Sequence, residues 1–297
     1  MIPSDHATLR QLRHRGYIYL KEYFDEQTAL RDAELLLRKA LGLSRASFFA
    51  HINEEPVSDV DFDIRYHTML QRRAEYIPMQ YLLGEQEFYG MKFLVRPGVL
   101  IPRPETELLV EMVSDHLSKR WTKQEKIHLG EVGVGSGVIG ITLASLFPKL
   151  WVHGSDIAEE PVLQARENAD LLGVSNRVHI FQGDLLAPLP FAQYHVLVSN
   201  PPYIPERDLV ELAPDVQREP HVALFGGPDG LRYYHRLLTE GHERLYPQGF
   251  LAVEVGKDQA AVLQNIAEHI GWRLLDMRID FNGIARTLLW EKQETFL

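Results

Sequence analysis

Cysteine is absent from the 297 residues of the sequence. This absence excludes disulfide bonds and thiolate metal sites, and it argues against a secreted scaffold that disulfides hold together. Long apolar runs are missing as well, because no stretch approaches the roughly 20 residues that a helix needs to span a bilayer. The opening MIPSDHATLRQLRHRG also lacks the apolar core of a signal peptide. We therefore expect a cytoplasmic protein that does not associate with membranes.

Basic residues are outnumbered by acidic ones. The sequence has 31 Lys and Arg against 41 Asp and Glu, which gives a net charge of −10. Such a charge disfavours salt-driven wrapping of duplex DNA or of an anionic membrane, so we expect no stable binding to nucleic acid. The 13 histidines show no metal-ligand spacing, and we expect no metal site. The length and the 45% hydrophobic content are typical of a globular protein with one large and one smaller domain.

The N-terminal part of the chain has the periodicity of helices. In DEQTALRDAELLLRKALGLSR, one apolar face is formed by Ala33, Leu36, Leu37, Ala40 and Leu41. Asp25 or Thr28 could cap this helix, and Gly42 should end it. The helical pattern as a whole extends from about Ser4 to Arg73. We predict a helical domain over residues 1–75.

Short alternating runs follow, interrupted by glycine and proline, in EFYGMKFLVRPGVLIPRPE. This pattern predicts a β-hairpin and then an extended linker over residues 76–105. In residues 106–297, strand-like runs alternate with helical ones: KIHLGEV, LWVHGSD, RVHIFQGD, YHVLVSN, GFLAVEV, WRLLDMRI and ARTLLWEK. The alternation predicts a doubly wound α/β sheet whose last two strands form an antiparallel hairpin.

A glycine-rich turn follows the first of these strands and opens a helix, in LGEVGVGSGVIGITLASLFP. Gly133, Gly135 and Gly137 leave backbone without Cβ atoms, so a ligand can lie against the turn and the helix N-terminus. The piece GSGVIG matches the dinucleotide pattern G-x-G-x-x-G, with Asp156 about 20 residues further on, as NAD would require. A P-loop fits less well, because no Gly-Lys-Ser or Gly-Lys-Thr follows. A tight structural turn is a further alternative.

Three acidic residues lie at the ends of successive predicted strands. Glu131 precedes the glycines, where its charge suits a cationic ligand and would repel a pyrophosphate. Asp156 could accept hydrogen bonds from both hydroxyls of a ribose, and Asp184 lies within plausible reach of an adenine amino group. Each acid alone could equally cap a helix. Together, beside the glycine turn, they favour S-adenosylmethionine, a sulfonium cation, over NAD.

The run VLVSNPPYIPERD joins a predicted strand directly to Asn200, Pro201, Pro202 and Tyr203. The prolines have no N–H to donate and bias the residue before them toward extended geometry, so the strand must end at Asn200. Ligands of α/β proteins bind at such strand ends. A proline-rich exit turn with a capping Asn200 is the plain structural alternative.

These motifs occur in an order that resembles a known family. The series E-x-G-x-G-x-G, Asp156, Asp184 and Asn-Pro-Pro-Tyr is similar to class I S-adenosylmethionine-dependent methyltransferases that modify planar amide or amino nitrogens. The further segments LRDAELLL, YLLGEQEFYG, LIPRPETELLVE, REPHVALFGGPDGL and GFLAVEVG resemble the bacterial peptide chain release factor glutamine N5-methyltransferases, the HemK or PrmC family. One departure is Glu131, where the family usually has aspartate.

The resemblance implies a Rossmann-like methyltransferase domain with S-adenosylmethionine as its cofactor. It implies a substrate, the glutamine of the Gly-Gly-Gln loop in class I release factors, which the helical N-terminal domain would dock. The implied cofactor site comprises Glu131, Gly133, Val134, Gly135, Ser136, Gly137, Asp156, Asp184, Leu185 and Asn200. The implied catalytic residues are Asn200, Pro201, Pro202 and Tyr203.

The tetrapeptide also suits the chemistry of amide methylation. A carboxamide nitrogen is a poor nucleophile because its lone pair is delocalised into the carbonyl, so the site must orient it. The side-chain oxygen of Asn200 and the carbonyl of Pro201 could each accept one N–H of the substrate amide, and Tyr203 could form a flat wall. Two of the charged residues nearby also have structural interpretations. Arg103 could pair with an acidic substrate, and a structural pairing within the protein is an equal interpretation. Glu254 is expected to be an acid of the core sheet.

Three other functions remain open on sequence grounds. The related enzyme that methylates a large-subunit ribosomal protein usually differs in the IPRPE segment. An adenine N6 DNA methyltransferase uses a similar tetrapeptide on a flipped base, but the charge of −10 argues against it. A binding module that has kept a cofactor fold without activity is disfavoured by the intact glycine turn and tetrapeptide.

Overall fold

The computed structural model describes residues 6–56, 61–121 and 123–292. The chain divides into two compact units between Gly84 and Glu85, and the short segment Ala213–Arg218 groups with the first unit. Of the predicted hairpin and linker over residues 76–105, residues 85–105 group with the second unit, whereas residues 76–84 group with the first unit and include a short helix. Part of the predicted N-terminal helical pattern, including Ser4, lies outside the described residues.

The first unit is helical. Its helices are α1 (Leu9–Leu20), α2 (Glu26–Leu41), α3 (Arg45–Ala50), α4 (Phe62–Ala74) and α5 (Met79–Leu83). The prediction for α2 is confirmed, because the Asp25 side chain accepts a hydrogen bond from the Thr28 amide and Gly42 takes the left-handed conformation at its end. The apolar face of α2 is buried in the core of this unit. Within that core, Asp32 forms a buried ion pair with Arg73, with 2.7 Å between Oδ2 and Nε.

The second unit begins with the predicted hairpin, strands β1 (Glu85–Phe88) and β2 (Met91–Leu94). The turn residues Tyr89 and Gly90 have φ of 52° and 70°, which suits the right-handed twist of a two-residue hairpin. An extended segment then leads to a short 3-10 helix, Pro104–Thr106, and directly into α6 (Glu107–Lys119). This segment contributes to the site described below.

A seven-stranded sheet forms the centre of the second unit. Its strands are β3 (Ile127–Val132), β4 (Leu150–Asp156), β5 (Val178–Gln182), β6 (Tyr194–Ser199), β7 (Leu245–Glu254), β8 (Trp272–Ile279) and β9 (Ala285–Lys292). The helices between them are α7 (Val138–Leu146), α8 (Glu159–Leu171), α9 (His221–Leu224), α10 (Arg232–Glu243) and α11 (Ala260–His269). The spatial order is β5-β4-β3-β6-β7-β9-β8, and this confirms the predicted doubly wound sheet.

Strand direction explains where a ligand can bind. Strands β3 to β7 pair in parallel, whereas β9 runs antiparallel between β7 and β8. The chain winds outward from β3 through β4 to β5, and it then returns to place β6 on the other side of β3. The loops after β3 and β6 consequently diverge and leave a crevice at the carboxyl ends of these strands. The glycine turn and the tetrapeptide both lie there.

Apolar side chains cover both faces of the sheet. One cluster joins the sheet to α6, α7 and α8, and a second cluster joins it to α10 and α11.

Four histidine rings, those of His128, His153, His179 and His195, form a row across neighbouring strands with centroid spacings of 5.8–6.0 Å. Within the described residues, no group of three or more His, Asp or Glu side chains could hold a metal ion. None of the helices that the structure describes is long and apolar enough to cross a membrane.

Candidate active site

A cleft lies at the switch point of the sheet. It encloses about 880 Å³ of empty space, a figure that includes solvent at its open side. Its walls come from the loops after β3, β4, β5 and β6, together with residues near Gly98 and Pro220. The structure thus brings the glycine turn, Asp156, Asp184 and Asn200 to one cavity.

The glycine turn forms one wall of the cleft. Gly133, Gly135 and Gly137 have φ of 70°, 55° and 83°, a region in which side chains with a Cβ are strained. A Cβ on Gly137 would also come within 2.6 Å of the Ile141 side chain, whereas a Cβ on Gly135 would meet no atom within 4 Å. Gly137 is therefore needed for helix packing, and Gly135 leaves open space where a ligand can approach the backbone.

Glu131 lies beneath this turn. It is only 1% exposed, and its Oε2 accepts a hydrogen bond of 3.0 Å from the amide of Gly140 in the first turn of α7. Its Oε1 is buried and has no hydrogen-bond partner among the described residues. Burial raises the pKa of Glu131 to about 8. One carboxylate oxygen thus supports the helix, and the other is an unused acceptor close to the turn.

Asp156 ends β4 and lines the cleft. Its two oxygens accept hydrogen bonds of 3.1 Å from the amides of Gly135 and Ala158, so the carboxylate is fixed against the glycine turn. Burial raises the pKa of Asp156. A carboxylate offers about four lone-pair sites, and these two bonds leave acceptor capacity for a pair of ligand hydroxyls.

Asp184 and Leu185 follow β5 and also line the cleft. Asp184 accepts two hydrogen bonds, of 2.8 and 3.0 Å, from one terminal nitrogen of Arg236 in α10. Leu185 has a φ of 45°, and its carbonyl accepts a 2.6 Å hydrogen bond from the Ser155 hydroxyl. Sequence reasoning missed Arg236, because no local pattern links residue 184 to a helix far along the chain.

The tetrapeptide leaves β6 beside β3. The Ser199 hydroxyl donates a 2.8 Å hydrogen bond to the carbonyl of Val132, and this bond fastens the two strands where the cleft opens. Asn200, Pro201 and Pro202 line the cleft directly.

The Asn200 side chain is hydrogen-bonded to Thr106, which ends the short 3-10 helix before α6. Its Nδ2 donates a 3.2 Å hydrogen bond to the hydroxyl of Thr106, and that hydroxyl lies 2.6 Å from Oε2 of Glu254 at the end of β7. Thr106 and Glu254 are 2% and 1% exposed. Sequence reasoning did not single out Thr106, since its link to Asn200 depends on the tertiary packing of three separate segments.

Tyr203 is placed differently from its neighbours. Its hydroxyl lies 3.5 Å from Oε1 of Glu254, and its backbone carbonyl accepts a 2.9 Å hydrogen bond from Gln259. Burial raises the pKa of the Tyr203 phenol. The ring packs against the apolar cluster of α10 and α11. The structure thus ties Tyr203 to the protein by both its ring and its backbone, while its predicted role as a wall for a planar amide remains a prediction.

Glu219, a further buried carboxylate, holds the linker in place. Glu219 accepts a 2.9 Å hydrogen bond from the amide of Ile101 and forms an ion pair with Arg103. Glu107 accepts a 2.7 Å hydrogen bond from the amide of Tyr89, at the turn of the hairpin. Arg103 therefore has the structural pairing that was one of its two interpretations.

Two family models match the chain, the PrmC N-terminal domain over residues 11–84 and the methyltransferase small domain over residues 104–215. The release factor glutamine methyltransferase of Moorella thermoacetica is 40% identical over 89% of this chain and 91% of its own length. The protein of the same name from Koribacter versatilis is 37% identical over 96% of this chain and 99% of its own.

Solved structures resemble the chain in fold. A methyltransferase from Pyrococcus furiosus has a TM-score of 0.50 at 18% identity, and the match covers 70% of this chain and 91% of that one. At this identity the similarity concerns architecture alone, and it confirms the predicted Rossmann-like methyltransferase fold.

Proposed function

The chain belongs to the family of release factor glutamine methyltransferases, and from this premise we propose that it methylates a glutamine of a release factor. S-adenosylmethionine is the methyl donor, and the acceptor is the N5 nitrogen of the glutamine in the Gly-Gly-Gln loop of a class I release factor. The observation that carries this proposal is the placement of Asn200. Its carboxamide lies in the cleft with Nδ2 bonded to Thr106, which leaves Oδ1 to accept from an amide substrate.

The residues of the cleft fit the donor. Asp156 has acceptor capacity for a ribose diol, and the backbone at Gly135 is open to close approach. Asp184 and Leu185 lie on the wall where an adenine would rest. The unpartnered Oε1 of Glu131 adds negative potential beneath the turn when the carboxyl is ionised. When bound, S-adenosylmethionine supplies an electrophilic methyl carbon on a sulfonium sulfur.

Asn200 and Pro201 orient the substrate amide. Oδ1 of Asn200 accepts one N–H and the carbonyl of Pro201 accepts the other, so the nitrogen lone pair is turned toward the methyl group. Methyl transfer would form the N–CH3 bond as the S–CH3 bond breaks, with the electron pair of that bond left on sulfur. Positive charge then builds on nitrogen, and both acceptors bind that charged form more strongly than the neutral amide. The nitrogen then becomes acidic, and its proton passes to water.

Rigidity makes this orientation effective. Pro201 and Pro202 fix their own φ angles, and the Ser199 hydroxyl anchors the preceding strand end. Tyr203 is held at its backbone by Gln259. Alignment of two reacting groups can supply several kcal/mol of a barrier reduction, provided that the geometry is held closely.

The partner and the setting follow from the substrate. We assign the recognition of the release factor to the helical first unit, and we assign the protein to the cytoplasm because its substrate takes part in translation. The net charge of −10 disfavours stable binding to nucleic acid.

A methyl-transfer assay tests the proposal. Purified enzyme and tritium-labelled donor are incubated with a class I release factor, with the same release factor carrying Ala in place of the loop glutamine, with a large-subunit ribosomal protein, and with DNA. We expect label only in the unaltered release factor, located by mass spectrometry on the loop glutamine. Label in the ribosomal protein or in DNA, or label that persists in the Ala variant, would contradict the proposal.

A further inference from the structure

Three polar side chains from distant segments form a connected chain behind the cleft. Glu254 ends β7, Thr106 lies in the short 3-10 helix before α6, and Asn200 follows β6. The Thr106 hydroxyl lies 2.6 Å from Oε2 of Glu254 and 3.2 Å from Nδ2 of Asn200. Thr106 and Glu254 are buried, and only Asn200 reaches the cleft wall. The two buried residues are thus too deep to touch a substrate.

The number of hydrogens available for these two hydrogen bonds determines which way the Asn200 amide faces. A carboxylate has no hydrogen to donate, so the short contact with Glu254 requires the single hydroxyl hydrogen of Thr106. The Thr106 oxygen then has only lone pairs left for Asn200, and it must receive an N–H. A carboxamide is nearly symmetric in shape, and only such a network distinguishes its oxygen from its nitrogen. Nδ2 is therefore held toward Thr106, and Oδ1 is directed away from it.

We propose that Thr106 and Glu254 are positioning residues that fix the orientation of the Asn200 carboxamide, so that an acceptor and not a donor faces the substrate nitrogen. This inference rests on the proposed function of the site. With the amide reversed, Nδ2 would meet the N–H groups of the substrate glutamine, donor against donor. Such an arrangement loses the contact that aims the lone pair and also repels the charge that develops on nitrogen.

Several charged and polar groups surround Glu254. They are Glu105 and Thr106 before α6, Asn200 and Tyr203 after β6, Tyr234 of α10 and Arg286 of β9. Burial is the largest influence and raises the pKa of Glu254 to about 7, and the charge of Glu105 adds to that rise. The Thr106 hydrogen bond, Arg286 and the Asn200 side chain act in the opposite direction. Tyr234 bonds to the backbone carbonyl of Glu254 and so leaves the carboxylate free for Thr106.

Protonation of Glu254 removes the reason for the observed orientation. A protonated carboxyl can donate to the Thr106 oxygen, and the Thr106 hydroxyl can then donate to Oδ1 of Asn200. Both amide orientations become accessible in that state. Methyl transfer should therefore weaken as the pH falls through the pKa of Glu254.

The decisive comparison uses Thr106→Val and Thr106→Ser in methylation of an unmodified release factor. Valine keeps the shape and removes the hydroxyl, and we expect kcat to fall about 10- to 100-fold, a part of the roughly 100- to 1,000-fold cost of losing one preorganised contact outright. Serine keeps the hydroxyl and should stay within about threefold of the wild type. The dissociation constant of the donor should change less than about twofold in both.

Thr287→Val is the matched control. Thr287 is fully buried on β9, pairs in register with Glu254, and has a hydroxyl with no partner among the described residues. The substitution therefore removes an equivalent hydroxyl from the same neighbourhood and leaves the hydrogen bonds between Glu254, Thr106 and Asn200 unchanged. We expect its kcat to match the wild type. A comparable loss of kcat in Thr287→Val and Thr106→Val would assign the effect to general packing and overturn the inference.

Glu254→Gln provides a second and independent readout. Glutamine keeps the shape and does not titrate in this range, and its Nε2 can donate to Thr106 as the protonated acid does. The wild type should lose kcat toward acid pH with a midpoint near the Glu254 pKa, about 7, and the variant should lack that limb. Glu131 is unchanged in both proteins, so the difference between the two profiles belongs to Glu254.

The outcomes separate the inference from the proposed function. If the wild type fails to methylate any release factor, the proposed function is wrong. If the wild type is active and a folded Thr106→Val retains its kcat, or if the acid limb persists in Glu254→Gln, the positioning role is wrong. Should Thr106→Val not fold, the pH profile of Glu254→Gln decides the matter on its own.

Discussion

The replacement Asp156→Ala tests the donor site most fully. The Asp156 carboxylate holds the amides of Gly135 and Ala158 at 3.1 Å and lines the cleft, so its removal deletes the predicted acceptor of the ribose hydroxyls. Hydrogen bonds to a charged group contribute about 1.5–3 kcal/mol, which corresponds to roughly a 10- to 100-fold rise in the dissociation constant of the donor. Asp156→Asn keeps the volume and one acceptor, and we expect an intermediate loss.

Isothermal calorimetry with S-adenosylmethionine measures this effect directly. Asp170→Ala is the control, because Asp170 is an exposed residue of α8 outside the cleft and its side chain holds neither of these amides. Thermal melts of each variant show whether the fold is retained. An unchanged dissociation constant in a folded Asp156→Ala would remove Asp156 from the donor site and refute this reasoning.

Further expectations concern the glycine turn, the ligand class and the histidine row. Gly135→Ala and Gly173→Ala should each lose about 1–2 kcal/mol of stability, because both residues have positive φ and an added Cβ meets no atom within 4 Å. Calorimetry should show weakened donor binding only for Gly135→Ala, since Gly135 alone of the two lines the cleft. NAD should give no binding heat, and NAD binding without a response to S-adenosylmethionine would refute the ligand assignment. Burial lowers the pKa of His153 to about 4, so the unfolded state binds more protons below about pH 6.5 and stability falls as the pH drops toward 4. Urea titrations of His153→Gln should therefore show a shallower loss of stability over that interval, and an unchanged slope would contradict the assignment.

Local patterns in the sequence were sufficient to predict much of the fold. The prediction of α2 was correct because the capping residue, the apolar face and the terminal glycine of this helix lie within one short stretch of sequence. The strands of the sheet were also predicted correctly, because each strand has its own local run of apolar residues. The sequence also predicted that β8 and β9 pair, but it did not predict that β9 would be the one next to β7. That choice depends on packing across the whole sheet edge.

In the site, too, features encoded by local sequence were predicted and features that depend on tertiary packing were not. The glycine turn and Asn200 were placed at strand ends by the local pattern, and the structure brings them to one cleft. Contacts between distant segments were not predictable, because they depend on how separate parts of the chain pack together. Arg236 beside Asp184 and the link from Thr106 to Glu254 are both of this kind.

Glu131 makes a contact that the sequence did not predict. Its charge next to the glycines suggested a direct interaction with a cation. The structure adds a hydrogen bond from the Gly140 amide to Oε2, which is a capping contact that only the folded turn reveals. The longer side chain of glutamate, in comparison with aspartate, reaches this amide while Oε1 stays without a partner among the described residues. Its role toward the donor stays a prediction.

The most direct test of the central claim is the rate of a single turnover by Asn200→Ala. The enzyme is mixed in excess with an unmodified class I release factor and the labelled donor, and the modified residue is located by mass spectrometry. If Asn200 orients the substrate amide, the rate should fall about 100-fold or more, while donor binding and the melting temperature change much less. If Asn200 is only a cap at the end of β6, the variant should lose about 1 kcal/mol of stability and keep its rate. A folded variant with a near-normal rate, or methyl label away from the glutamine of the Gly-Gly-Gln loop, would contradict the account.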